Sequence, residues 1–163
     1  MKTIRETPYR TPMAVSDAIK NLIDGKIVCD LGCAEGDNLM FMERYASQVL
    51  GVEQDQKRYK HAQERGYDVT IGNYLECSLP EADVYYIWPN DGPKDNETLV
   101  KRLIEIKHKC TVVIAGDTGF AYEMPAIHYI AEKYDGKLID VPYNEGTKNR
   151  QFGTFILCVL EIQ

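Results

Sequence analysis

The sequence predicts an α/β fold: a mostly parallel seven-stranded sheet in a three-layer sandwich with its helices, closed by a C-terminal antiparallel hairpin. Three observations predict it. Short, β-prone apolar runs alternate with helix-like segments almost throughout the 163 residues, the pattern of parallel strands joined by crossover helices. The first run ends in a glycine-containing turn that opens straight into a helix-like segment. The last two runs are separated only by the polar loop YNEGTKNRQ. That is shorter than the crossover of about a dozen residues that a parallel pair needs, so these two runs form a hairpin at or near the sheet edge.

The elements follow in order. A first helix spans residues 14–23 and ends at Asp24-Gly25. Residues 26–31 form a first strand, continuous enough in apolar character to be covered on both faces. A helix over 38–46, a strand over 48–52 and a polar helix over 56–65 stopped by Gly66 come next. Strands over 67–71 and 83–87 follow, the latter containing the β-prone run VYYI. Residues 96–109 form an amphipathic helix with Leu99, Leu103 and Ile106 at helical spacing, and 110–115 a fifth strand. A helix over 125–134 has Pro125 in its first turn, where the missing N–H is harmless. Strands over 137–142 and 152–161 form the hairpin.

Residues 1–163 are expected to make a single domain, with 1–25 as an N-terminal segment and helix lying over a cofactor site. No apolar run approaches the roughly 20 residues of a membrane helix. The opening MKTIRETPYRTP lacks the apolar stretch of a secretory signal, so the expected location is the cytoplasm. A net charge of −6 argues against non-specific nucleic-acid binding. The basic residues Lys101, Arg102, Lys107, His108 and Lys109 read as a solvated helix face. The five cysteines, Cys29, Cys33, Cys77, Cys110 and Cys158, contain no CxxC pair and read as reduced structural thiols. His61 and His128 have no metal-ligand spacing, and no metal is expected.

The chemistry concentrates in Asp30-Leu31-Gly32-Cys33-Ala34-Glu35-Gly36-Asp37-Asn38. Gly32 and Gly36 let backbone approach a ligand closely. The following helix aims its positive end at the turn, with Asp37 or Asn38 available as a cap. A dinucleotide site calls for G-x-G-x-x-G, whereas this turn reads G-x-x-x-G. Asp30, two positions before the first glycine, disfavours a pyrophosphate and favours a cation such as an α-amino group or a sulfonium.

This segment resembles motif I of the class I S-adenosylmethionine-dependent methyltransferases, D/E-x-G-x-G-x-G, with Ala34 in place of the middle glycine. The resemblance extends from about Tyr9 to the C-terminus, and that family's seven-stranded sheet, with its last strand inserted antiparallel, agrees with the hairpin. It implies S-adenosyl-L-methionine as cofactor, held by Asp30, Gly32, Ala34, Gly36 and Asn38. It implies further that Glu53, 21 positions after Gly32, accepts from the ribose hydroxyls, with Gln54 beside the adenine. Asn73 stands where the family often has Asp and pairs with the adenine amino group, with Tyr74 offering a stacking face. The bland readings are an acidic loop at Glu53 and Asp55 and an ordinary Gly72-Asn73 turn.

The fourth strand ends in Tyr85-Tyr86-Ile87-Trp88-Pro89-Asn90-Asp91-Gly92, which by resemblance is motif IV, facing the transferred methyl. Amine-methylating members often carry D/N-P-P-Y/F/W there, and the different order here carries over no such acceptor. Trp88 is expected to wall the sulfonium, and Asn90 and Asp91 to orient the acceptor. Asp117, just past strand five, and Tyr143, just past strand six, are expected at the same sheet edge, and Tyr9, Arg10 and Thr11 fold over the cofactor or are loose. The chain thus reads as a methyltransferase acting on a small molecule or a protein side chain. The alternatives are a non-catalytic S-adenosylmethionine-binding partner or sensor module and, more remotely, an NAD-dependent oxidoreductase.

Overall fold

The structure, a computed structural model, describes residues 13–88, 93–106, 108–117, 123–141 and 155–163. The chain falls into two compact units, Met1–Tyr86 and Ile87–Gln163.

In the first unit α1 (Met13–Ile23) leads into β1 (Ile27–Leu31), followed by α2 (Asp37–Met42), β2 (Gln48–Glu53), α3 (Gln56–Glu64) and β3 (Asp68–Ile71). β4 (Val84–Ile87) comes at the junction of the units. β1 and β2 pair in parallel with Ile27 opposite Gln48, and β2 and β3 with Leu50 opposite Asp68. Val28, Cys29 and Leu31 are buried, as their continuous apolar run requires of a strand covered on both faces. The Asp83 carboxylate accepts from the Ile27 amide at 2.8 Å while the Ile27 carbonyl accepts from the Asp83 amide at 2.9 Å, which fixes the start of β1. α2 packs on β1 and β2, and α3 on β2 and β3. Cys33, Leu39, Met40, Ala62, Tyr67 and Val69 close one core cluster between them.

In the second unit α4 (Pro93–Glu105), β5 (Cys110–Asp117), α5 (Glu123–Lys133), β6 (Lys137–Val141) and β7 (Phe155–Ile162) follow. β7 runs antiparallel to both β5 and β6. The strand order of the sheet is β3-β2-β1-β4-β5-β7-β6. The expected hairpin is therefore present, but its second strand lies inside the sheet and its first forms the edge. Burial agrees: β7 is buried along nearly its whole length, whereas Lys137, Leu138 and Asp140 of β6 are exposed. α4 and α5 are tied by Glu97, which takes hydrogen bonds from Lys133 and from the hydroxyls of Tyr129 at 3.4 Å and Tyr134 at 3.3 Å.

Several boundaries differ from the sequence expectation. α2 stops at Met42 rather than at residue 46, because residues 43–46 turn back and Gly25 donates to the Tyr45 carbonyl at 2.9 Å. α4 begins at Pro93, three residues early, and ends at Glu105. β5 runs on to Asp117, two residues beyond the expected end, so that Asp117 is the strand's last residue. Among the described residues no helix is long and apolar enough to cross a membrane.

Candidate functional site

The turn after β1 takes three left-handed residues in five positions: Gly32 at φ 80°, Ala34 at φ 49° and Gly36 at φ 90°. Two of them are glycine, which adopts this conformation freely; Ala34 does so only under constraint. The constraint comes from β2. The amides of Gly32 and Cys33 both donate to the Val52 carbonyl, at 2.8 and 3.1 Å, and the Ala34 amide donates to Glu53 Oε2 at 2.7 Å. Gly36 donates to the Cys33 carbonyl at 3.0 Å. The turn is thus bonded to the end of the neighbouring strand through Glu53. That carboxylate is buried, and its other oxygen accepts from the Asp55 amide at 2.9 Å.

The expected cap is not the one formed. Gly36 is the N-cap of α2, with no side-chain cap bond, so neither Asp37 nor Asn38 caps it. Asp37 lies inside the helix and instead receives Arg65 Nη1 at 2.8 Å, and the Asn38 side chain hydrogen-bonds Asp30. Gly36 is also a place where a side chain has no room: a Cβ there would meet the Tyr67 ring at 2.8 Å. At Gly32 a Cβ would meet nothing within 4 Å among the described residues.

Asp30 is fully enclosed, and its Oδ2 has no hydrogen-bond partner among the described residues. Burial pushes its carboxyl up to about 7, the Asn38 hydrogen bond opposes this, and the neighbouring Glu53 carboxylate adds to it. An isolated buried carboxylate is costly, so this oxygen invites either a proton or a cation.

The loop after β3 joins the same cluster. The Gly72 amide donates to the Glu53 carbonyl at 3.0 Å. Asn73 Oδ1 accepts from the Leu75 amide at 2.9 Å, and its carbonyl accepts from Glu76 and Cys77 at 2.9 and 2.8 Å. The Asn73 side chain therefore shapes its own turn, and its oxygen already carries one hydrogen bond. Tyr74 is half-buried beside it, and Gln54 is exposed. Asp55 caps α3, accepting from the Arg58 amide at 2.9 Å, a bond that holds its carboxyl below the ordinary value. The structure thus joins the turn containing Gly32, Ala34 and Gly36 with Glu53 and Gly72 through hydrogen bonds, and Asp30 with Asn38.

In the second unit Trp88 is half-buried and meets Phe155 edge-on, with ring centroids 5.9 Å apart at 71°. Phe155 stands opposite Asp117 in the β5–β7 register, and Asp117 is buried. Asn90, Asp91 and Tyr143, like Tyr9, Arg10 and Thr11, lie outside the described residues. Sequence reasoning missed Arg65 and Phe155. Arg65 is one more cation near a helix end, and nothing local signals that it reaches a carbonyl 30 positions earlier. Cys29, Cys33, Cys110 and Cys158 are buried with thiols pushed upward chiefly by burial, while Cys77 is half-buried. Among the described residues no group of His, Cys, Asp and Glu is arranged to hold a metal ion.

No protein-family model and no curated protein matches the sequence. Solved structures do match the fold. The C-terminal domain of precorrin-6Y C5,15-methyltransferase from Rhodobacter capsulatus superposes with a TM-score of 0.70 at 11% identity, covering 95% of this chain and 92% of that one. The fold is that of the class I S-adenosylmethionine-dependent methyltransferases. An RNA methyltransferase from Salinibacter ruber in complex with S-adenosyl-L-homocysteine matches at TM-score 0.65 and 20% identity, covering 94% of this chain and 93% of that one. Magnesium protoporphyrin IX methyltransferase from Synechocystis PCC 6803 with bound S-adenosylhomocysteine matches at 0.67 and 10%, covering 91% and 82%. These class I structures span porphyrin, precorrin and RNA in their names, so the shared fold leaves the acceptor undetermined.

Proposed function

We propose that this protein binds S-adenosylmethionine through the turn after β1 and transfers its methyl group to a compact small molecule or a protein side chain. The observation that carries the reading is the state of the turn's polar groups. The amides of Gly32, Cys33, Ala34 and Gly36 are bonded within the protein, which leaves those four unable to cradle a pyrophosphate, as a dinucleotide site would require. The unpartnered buried oxygen of Asp30 and the open space over Gly32 fit a ligand with a cationic amino-acid end. Glu53 keeps a second lone pair on each oxygen for the ribose hydroxyls. Gln54, Asn73 and Tyr74 remain proposed for the adenine.

Bound S-adenosylmethionine supplies a methyl group already activated by its sulfonium. What is asked of the chain is therefore positioning and exclusion of water, and a base is required only for an acceptor that must lose a proton. The resemblance assigns Trp88, Asn90 and Asp91 to the acceptor side. The aromatic pair Trp88–Phe155 is suited to packing an apolar or cationic acceptor. The different order of motif IV favours one other reading, a module that binds the cofactor without catalysis. Transfer of a labelled methyl to any acceptor, lost in Trp88→Ala, would exclude that reading.

The test of the cofactor claim is calorimetric titration with S-adenosylmethionine, S-adenosylhomocysteine and NAD, repeated on Glu53→Ala. Both adenosyl ligands are expected to bind at micromolar level and at least tenfold more weakly to the variant, a loss of about 1.4 kcal/mol or more. Binding of NAD in their place, or of neither adenosyl ligand, would overturn the reading. The acceptor screen includes RNA fragments beside amines and peptides, because a structure of the same fold is an RNA methyltransferase by name.

A further inference from the structure

The turn that carries the proposed cofactor site is held from two sides. On the sheet side the amides of residues 32–34 are bonded to Val52 and Glu53. It is held as well from α3 and the residue that follows it. Arg65, immediately after α3, donates from Nη1 to the Glu35 carbonyl at 2.7 Å and to Asp37 Oδ1 at 2.8 Å. Its Nη2 lies 3.7 Å from Met40 Sδ, and its guanidinium stacks over the Tyr67 ring at 5.8 Å. That same Tyr67 ring fills the space against Gly36. One turn earlier on α3, His61 Nδ1 stands 3.5 Å from Glu35 Oε1. The other end of α3 is capped by Asp55, whose amide is bonded to Glu53. α3 therefore braces the ligand-facing loops at both of its ends.

Arg65 is the joint of this brace. It is the cation paired with the nearly buried carboxylate of Asp37, whose side chain is 8% exposed, and its Nη1 bonds the carbonyl between Ala34 and Gly36. A turn with three left-handed residues, one of them alanine, persists only while its surroundings over-determine it. We propose that Arg65 is a positioning residue for the cofactor turn: acting through Glu35 and Asp37 without touching the ligand, it keeps the turn in its binding conformation and thereby sets the affinity for the adenosyl ligand. Apparent affinity falls in proportion to the fraction of molecules whose turn is binding-competent, so loosening the brace weakens binding even where the protein stays folded. The inference rests on the proposed cofactor site.

The experiment is calorimetric titration with S-adenosylhomocysteine at a temperature well below unfolding, with thermal melting of each variant in parallel. The variants are Arg65→Met, Arg65→Gln and Arg65→Lys. The control is Glu97→Ala, which removes the carboxylate that takes hydrogen bonds from Lys133, Tyr129 and Tyr134 and ties α4 to α5. Arg65→Met is expected to bind at least tenfold more weakly. Arg65→Gln, which retains a single neutral donor, is expected to lose at least threefold and decides the matter if the methionine variant does not fold. Arg65→Lys, with its charge and several donors, is expected to recover part of the loss, and Glu97→Ala to bind as the wild type does while melting lower. If the folded Arg65 variants bind within twofold of wild type, the proposal is overturned. It is overturned equally if Glu97→Ala loses affinity in step with its stability, since affinity would then follow global stability and not the turn. Absence of binding to the wild-type protein sinks the cofactor reading instead, and is recognised before any variant is compared.

Discussion

Replacing Asp30 with asparagine separates the electrostatics of the turn from its packing. The folded protein holds this carboxyl at about 7 against an ordinary 3.8, chiefly through burial. A group whose folded pKa is raised binds its proton more tightly in the native state than in the unfolded chain. Stability therefore falls as pH rises from about 4, and the loss is complete above about 7. Each tenfold change in an acid constant is worth about 1.4 kcal/mol, so the gap corresponds to at most ~4 kcal/mol. For a chain of this size 1 kcal/mol moves the melting temperature by about 2–4 °C, which places the full effect at roughly 8–16 °C. The assay is thermal melting of wild type and Asp30→Asn across pH 5 to 8, taken as a difference so that the other carboxylates cancel. The variant should gain on the wild type up to about pH 7 and level off above it. It should also bind S-adenosylhomocysteine more weakly, because the ligand's ammonium loses its anionic partner. Wild-type binding should strengthen from pH 6 to 8, with proton release detectable by calorimetry in buffers of different ionisation enthalpy. A difference in melting temperature that is flat across this range would refute the argument that Asp30 is an uncompensated buried acid.

Three further predictions follow from packing. Gly51→Ala would place a Cβ 2.6 Å from Cys33 Sγ and 3.2 Å from Leu39 Cδ1. Overpacking of this kind typically costs about 1–3 kcal/mol, and chemical denaturation should show a lowered midpoint with unchanged slope. Tyr85→Phe removes the hydroxyl that bonds the Pro80 carbonyl at 2.6 Å and the Ala82 amide at 3.2 Å. A loss of about 1–3 kcal/mol is expected from the same measurement. Maleimide labelling of the native protein at pH 8 should modify Cys77 well before Cys29, Cys33, Cys110 or Cys158, since burial raises the pKa of those four thiols and screens them from reagent. Peptide mapping that found a buried cysteine labelled first would contradict the packing of β1, β5 or β7.

Much of the strand and helix pattern was legible because its signals are local. The continuous apolar runs of β1 and β5, the Gly66 stop after α3 and the short polar link between β6 and β7 each identify an element within a few residues. The place of β7 was legible too, though it was read as lying at or near the edge. FILCVL is apolar on both faces, as an interior strand must be, while KLIDV mixes polar and apolar positions, as an edge strand does. The cap of α2 was misread for an energetic reason. Asp37 and Asn38 have good capping side chains, but Arg65 and Asp30 compete for them and win, and Gly36 takes the left-handed cap position unaided.

The sequence by itself determined the kinds of element, their order, the antiparallel ending and the chemical character of the turn at Asp30–Leu31–Gly32. These depend on side-chain volume, periodicity and backbone freedom, which are properties of neighbours along the chain. The tertiary structure alone decided that Glu53 is bonded to Ala34, that one oxygen of Asp30 is sealed without a partner, and that Arg65 closes on Glu35 and Asp37. Such contacts join segments about 20 to 30 positions apart, and they are selected by the packing free energy of the whole unit, which no local window of sequence contains.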